Sequence, residues 1–165
     1  MSAVEVSTVV RRSRAAGAVL LLLRLGMAAV FVGAAVPKIA EPDLFALAVH
    51  NYQMLPAWGV NGMAIALPWL ELVIGLCLGL GIWRRASALI MAVLMVVFMI
   101  ALASAKARGL DIACGCFEVG AEAEHSSLVL DVLRDLAFLA GAVILVRWDE
   151  GPRPLDLLLR RSRPD

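Results

Sequence analysis

The sequence predicts an all-α integral membrane protein, a four-helix bundle with both termini in the cytoplasm. Three observations lead there. The 165-residue chain is 62% hydrophobic with a mean hydropathy of +0.88, whereas ordinary soluble domains are roughly 45–50% apolar. A water-soluble protein of this length has too high a surface-to-volume ratio to hide so much apolar surface. Four segments are long enough to cross lipid, and the basic residues are divided unequally between their ends.

A spanning helix needs about 20 mostly apolar residues, because each adds about 1.5 Å across a hydrocarbon layer of about 30 Å. Residues 15–36 meet this with one charge, Arg24; residues 63–82 with one, Glu71; and residues 86–105 with none. The fourth segment, 128–146, holds Asp131, Arg134 and Asp135 in its first turns and is free of charge from 136 onward. Arg11, Arg12 and Arg14 precede the first segment as they would in a signal peptide. The apolar stretch behind them is longer than the roughly 7–15 residues of a signal core, so it reads as a retained span.

Orientation follows from the positive-inside rule. With four spans, Arg11, Arg12, Arg14, Arg84, Arg85, Arg147, Arg153, Arg160, Arg161 and Arg163 share one side, and Lys38, Lys106 and Arg108 the other, ten against three. With three spans the arginine-rich tail would lie outside. The reading is therefore a basic cytoplasmic N-terminus (1–14), a transmembrane domain (15–147) with extracytoplasmic loops at about 37–62 and 106–127, and a basic cytoplasmic tail (148–165). Trp83 and Trp148 fall beside cytoplasmic arginines, at the depth that suits an amphipathic ring, and Trp58 in the first outer loop. Pro37 is expected to end the first helix, and Pro68 to lie near the start of the second. The partner implied is the lipid bilayer of the cell membrane. A net charge of +1 gives no sign of nucleic acid.

Charges within a span are costly and usually face the protein interior with partners. In the first helix Arg24, Ala28, Phe31, Ala35 and Lys38 follow i, i+4, i+7, i+11, i+14 and form one stripe. Lys38 lies at its outer end, and Arg24, about 21 Å below by helical rise, is expected to snorkel to the cytoplasmic interface. Glu71 lies in the outer half of the second span. Asp131, Arg134 and Asp135 share a face of the fourth by their i+3 and i+4 spacing. Lys38, Glu71, Asp131, Arg134 and Asp135 thus form a candidate polar cluster near the outer leaflet. It reads either as an ion-pair network that sets helix register or as the floor of a small-ligand or proton-handling site. Gly75 and Gly79, like Gly26 and Gly33, are small residues at helical spacing that let backbones approach.

Cys77 lies in an apolar run and reads as a packed thiol. Cys114 and Cys116 flank a single glycine in a polar loop. On the extracytoplasmic side disulfides persist, and a strained or exposed pair tends to be labile and catalytic. A staple would more often close a longer loop. A redox-active pair, a soft-metal site and an inert pair are the three readings; the spacing matches no standard zinc pattern.

The order Arg24-Leu25-Gly26, Phe31, Gly33, Lys38, then Tyr52, Leu55-Pro56, Pro68, Glu71, Gly75, Arg108-Gly109, Cys114-Gly115-Cys116-Phe117 and Arg134-Asp135 resembles the MauE-like membrane proteins of the broader DoxX-like set, over about residues 18–147. The resemblance implies a four-helix membrane bundle. It also implies a role like that of MauE in methylamine utilisation, where a disulfide-rich periplasmic enzyme subunit is matured alongside a thioredoxin-like partner. In the family a glycine usually follows the Cys-Gly-Cys-Phe run, and here Glu118 stands there; a carboxylate close to Cys116 would disfavour its thiolate. The function expected is a membrane-embedded thiol–disulfide oxidoreductase or redox maturation factor acting through Cys114 and Cys116 on a thioredoxin-fold or disulfide-rich extracytoplasmic protein. A quinone is the candidate electron partner. The alternatives are a non-enzymatic assembly scaffold and a soft-metal or small-solute carrier.

Overall fold

A computed structural model describes the backbone of residues 3–110 and 128–148 and the side chains of residues 16–110 and 132–148. Among these, five α-helices and no strands occur: α1 (Ala3–Ala40), α2 (Pro42–Asn51), α3 (Ala57–Leu80), α4 (Arg84–Ala107) and α5 (Leu128–Trp148). Three helical segments, Ala16–Ala40, Ala57–Leu80 and Arg84–Ala107, are long and apolar enough to cross a membrane. This is the make-up of a multi-pass membrane protein. At 21 residues α5 also has spanning length, but Asp131, Arg134, Asp135 and Arg147 keep it outside that set by composition.

The helix boundaries differ from those expected at both prolines. α1 runs through Pro37 to Ala40, and the Glu41 N–H donates to the Pro37 carbonyl (2.9 Å). Proline removes one N–H from the ladder, and the helix nevertheless continues one turn past it, with Lys38 buried there. α3 begins at Ala57, with Pro56 extended ahead of it, so Pro68 lies buried in mid-helix rather than near the start. In an apolar span the alternative to helix is unsatisfied backbone, so proline is accommodated within it. Trp58 consequently stands in the first turn of α3, and part of the first loop, Pro42–Asn51, is helical.

Glycines in the left-handed region end two helices. At α3, Gly81 (φ 78°) donates to the Leu78 carbonyl and Ile82 to that of Cys77. At α4, Gly109 (φ 71°) donates to Lys106 and Leu110 to Ala105. Both are the paired closure that satisfies the last free carbonyls of a helix.

Of the long helices, α1 packs most extensively on α3, and α4 on α5; contact between α3 and α4 is thinner, and between α1 and α5 thinnest. α2 lies on α3. The apolar core draws on all four long helices: Met27 and Phe31, Ile74 and Leu78, Ala88 and Met91, Ala142 and Leu145. The α1–α3 contact is close because Gly75 lacks a side chain. A Cβ there would stand 3.1 Å from Val32 Cγ2 and 3.3 Å from the Ala28 carbonyl oxygen. Gly79 approaches Ala28 similarly, whereas Gly26 and Gly33 have nothing within 4 Å of an added Cβ. Small-residue spacing thus marks packing on α3 and not on α1. Cys77 is half-buried, and Trp58, Trp83 and Trp148 are exposed.

Candidate functional site

The α1 stripe is buried along its whole length: Arg24, Ala28, Phe31, Ala35 and Lys38 each have 7% exposure or less. Arg24 is fully buried (0%), so it does not snorkel to an interface. The i+4 and i+7 spacing aims it inward with its neighbours, and the helix face rather than side-chain length decides its environment.

Lys38 reaches across from α1 to α3. Its Nζ donates to both carboxylate oxygens of Glu71, at 2.9 and 3.1 Å, and the two side chains are 5% and 12% exposed. The Phe45 ring of α2 lies 5.2 Å from the same ammonium, within range of a cation–π contact. Because α3 begins at Ala57, Glu71 is about 21 Å from its first residue and about 14 Å from its last, just past mid-helix.

Asp135 is buried on α5, and Oδ1 accepts from Arg134 Nε and Nη2, both at 3.3 Å. Arg134 itself is 31% exposed. Asp131 lies on the first turn of α5, and its side chain is outside the described residues.

Lys38, Glu71 and Asp135 meet at one cavity of about 40 Å³. α1 supplies Val30, Phe31 and Ala34 beside Lys38; α4 supplies Met95 and α5 Phe138. One wall is therefore ionic and the rest apolar and aromatic. The structure brings together three of the five predicted cluster residues at this cavity, with Arg134 bound to one of them. Sequence reasoning missed Phe45, Met95 and Phe138. Phe45 had a weak signal, two turns beyond Lys38 across a short break; the other two were indistinguishable from core.

At the same end of the helices, Arg108, the residue that closes α4, donates to the carbonyls of Tyr52 (2.6 Å) and Gln53 (3.2 Å) at the end of α2. The buried Tyr52 ring lies 6.2 Å from that of Phe98. The start of the α4–α5 connection is thus tied to the α2–α3 loop. Cys114 and Cys116 lie in that connection, outside the described residues.

Comparison with known proteins gives the context. No solved structure matches this chain. It is 35% identical over 128 residues to the methylamine utilization protein MauE of Methylorubrum extorquens, covering 76% of this chain and 69% of that one. It is 37% identical over 123 residues to the MauE of Methylophilus methylotrophus, covering 74% and 64%, and 34% identical over 128 residues to that of Paracoccus denitrificans, covering 77% and 68%. The family model described as methylamine utilisation protein MauE matches residues 16–147, so all the described helices from Ala16 to Arg147 and the cysteine connection fall inside it, and the chain belongs to the MauE family.

Proposed function

We propose that the chain is a membrane-embedded thiol–disulfide redox maturation factor, acting through Cys114 and Cys116 on an extracytoplasmic thioredoxin-fold or disulfide-rich protein. The observation that carries this reading is a Cys-Gly-Cys placed between α4 and α5 in a protein of the methylamine utilisation MauE family. Exchange runs through a mixed disulfide. A thiolate of the loop attacks the partner's disulfide and releases one partner thiol. The second loop thiol then displaces the other, so the loop is oxidised and the partner reduced by two electrons. The reverse direction oxidises the partner and needs an acceptor for the loop's electrons. We assign this to a membrane quinone, reduced to the quinol with two protons. Cys114 and Cys116 are the one closely spaced cysteine pair in the sequence, with no second pair to relay electrons, so the quinone would meet the loop directly.

In this reading four helices cross the cell membrane, both termini are cytoplasmic, and the cysteine connection is outside. The length of α5 and its packing on α4 support a fourth crossing, as does the ten-to-three division of basic residues. A periplasm-active reporter fused at Ala121 should be active, and one fused after Arg163 silent. Activity after Arg163 would overturn the four-span arrangement.

The roles within the pair follow from charge. Lys106, Arg108 and Asp111 precede Cys114 with a net positive charge, and Glu118 follows Cys116. Positive neighbours favour a thiolate and negative ones oppose it, so Cys114 attacks and Cys116 resolves. Cys116→Ser should accumulate a covalent adduct with a thioredoxin-fold protein, visible on non-reducing gels and lost with reductant. Cys114→Ser should accumulate much less. The reverse pattern would exchange the roles. No adduct from either variant, with both thiols inert to an impermeant maleimide after reduction, would favour a non-enzymatic scaffold.

A further inference from the structure

The thiol chemistry proposed above makes no use of the cavity at Lys38, Glu71 and Asp135. An ion pair whose only task is to hold helix register is best served by dry, close packing, because its attraction is strongest in a low-dielectric surrounding. Here the pair instead borders open volume. That volume, about 40 Å³, exceeds the roughly 10–15 Å³ needed to admit a water, and water requires the polar partners that this wall supplies. The cavity takes lining residues from both α1 and α5, the neighbouring long helices that touch least.

We propose that this cavity holds water and that Glu71 and Asp135 form an internal proton-exchange site. In each step a hydronium in the cavity gives its proton to a carboxylate, leaving water and a carboxylic acid; the return step reverses it. Among the described residues, the charged groups on every side are Lys38 from α1, Glu71 from α3, and Asp135 with its bonded Arg134 from α5. α4 presents Met95 there, and α2 the Phe45 ring above the ammonium.

Two measurements on the full chain test this apart from the cysteine reading. In a background with Cys77, Cys114 and Cys116 replaced by serine, Ala34→Cys places a thiol on the cavity wall and Leu145→Cys one in the dry core. Thiol reactivity follows exposure, so aminoethyl methanethiosulfonate, a water-soluble cation, should label the first about tenfold or more faster. In vesicles of the unsubstituted chain, a step in bulk pH should convert carboxylate to carboxylic acid reversibly in the infrared difference spectrum. Glu71→Gln and Asp135→Asn should each remove part of that signal. Equal labelling of the two thiols, or labelling of Ala34→Cys only by a lipid-soluble reagent, would overturn the proposal. So would a carboxyl signal unchanged by either variant. If Glu71→Gln does not fold, Asp135→Asn and Ala34→Cys still decide. Because the labelling uses a cysteine-free background, its failure leaves the thiol reading standing, and failure of disulfide trapping leaves this one.

Discussion

Glu71→Leu should destabilise the protein by about 3–5 kcal/mol, because it strips a buried ammonium of its bidentate partner. The Lys38 side chain is 5% exposed and, among the described residues, has the Phe45 ring as its further contact of note. A cation–π contact is worth about 0.5–2 kcal/mol, too little to offset the loss. The double variant Glu71→Leu with Lys38→Met should recover much of the stability, since replacing both members of a buried pair by apolar side chains is often neutral or better. Combining Glu71→Leu with Arg134→Leu should recover nothing, because Arg134 bonds Asp135. Thermal unfolding of the detergent-solubilised protein would measure all three. If Lys38→Met fails to restore stability in the Glu71→Leu background, the pair does not carry the energetic weight given to it.

Gly75→Leu should be comparably damaging through a different cause. An added Cβ meets Val32 at 3.1 Å and both the Ala28 carbonyl and Phe31 Cβ at 3.3 Å. Val32 Cγ2 is a side-chain tip that can shift slightly, but the Ala28 carbonyl and Phe31 Cβ are fixed to the backbone and move only with α1. Overpacking of this kind costs about 1–3 kcal/mol or more, and leucine must force α1 and α3 apart to be placed at all. Gly75→Ala is a closer contest: alanine gains roughly 0.5–1 kcal/mol over glycine within a helix, which offsets much of the crowding. Gly26→Ala and Gly33→Ala meet no neighbour within 4 Å and should be neutral or slightly stabilising. Equal losses from Gly26→Leu and Gly75→Leu would refute the close α1–α3 approach.

These contrasts show what the sequence could and could not disclose. Lipid imposes one demand, a long apolar helix, so the three apolar spans were legible from composition. Their ends were not. Residues 57–62 include Trp58, Asn61 and two glycines, which look like loop; α3 nevertheless begins there, because backbone groups need internal partners whatever the side chains are. The inward stripe on α1 was legible from its period. The burial of Arg24 was obscured because a long basic side chain near a helix end can equally reach the surface. That Glu71 takes Lys38 rather than Arg134 depends on the rotation and offset of two helices that are distant in the chain, which local sequence does not encode. The polar cavity is a property of four helices together, so no single segment announced it.

The pairing of α1 with α3, and of α4 with α5, bears on how the chain is made. In the four-span arrangement proposed above, the ribosome feeds the helices into lipid in order, so Lys38 and Glu71 both belong to the first half to emerge, and Arg134 and Asp135 both to the last. Each nascent hairpin thus carries its own neutralising partner. Neither half has to hold one of these charges bare in the bilayer while it waits for the other to be synthesised.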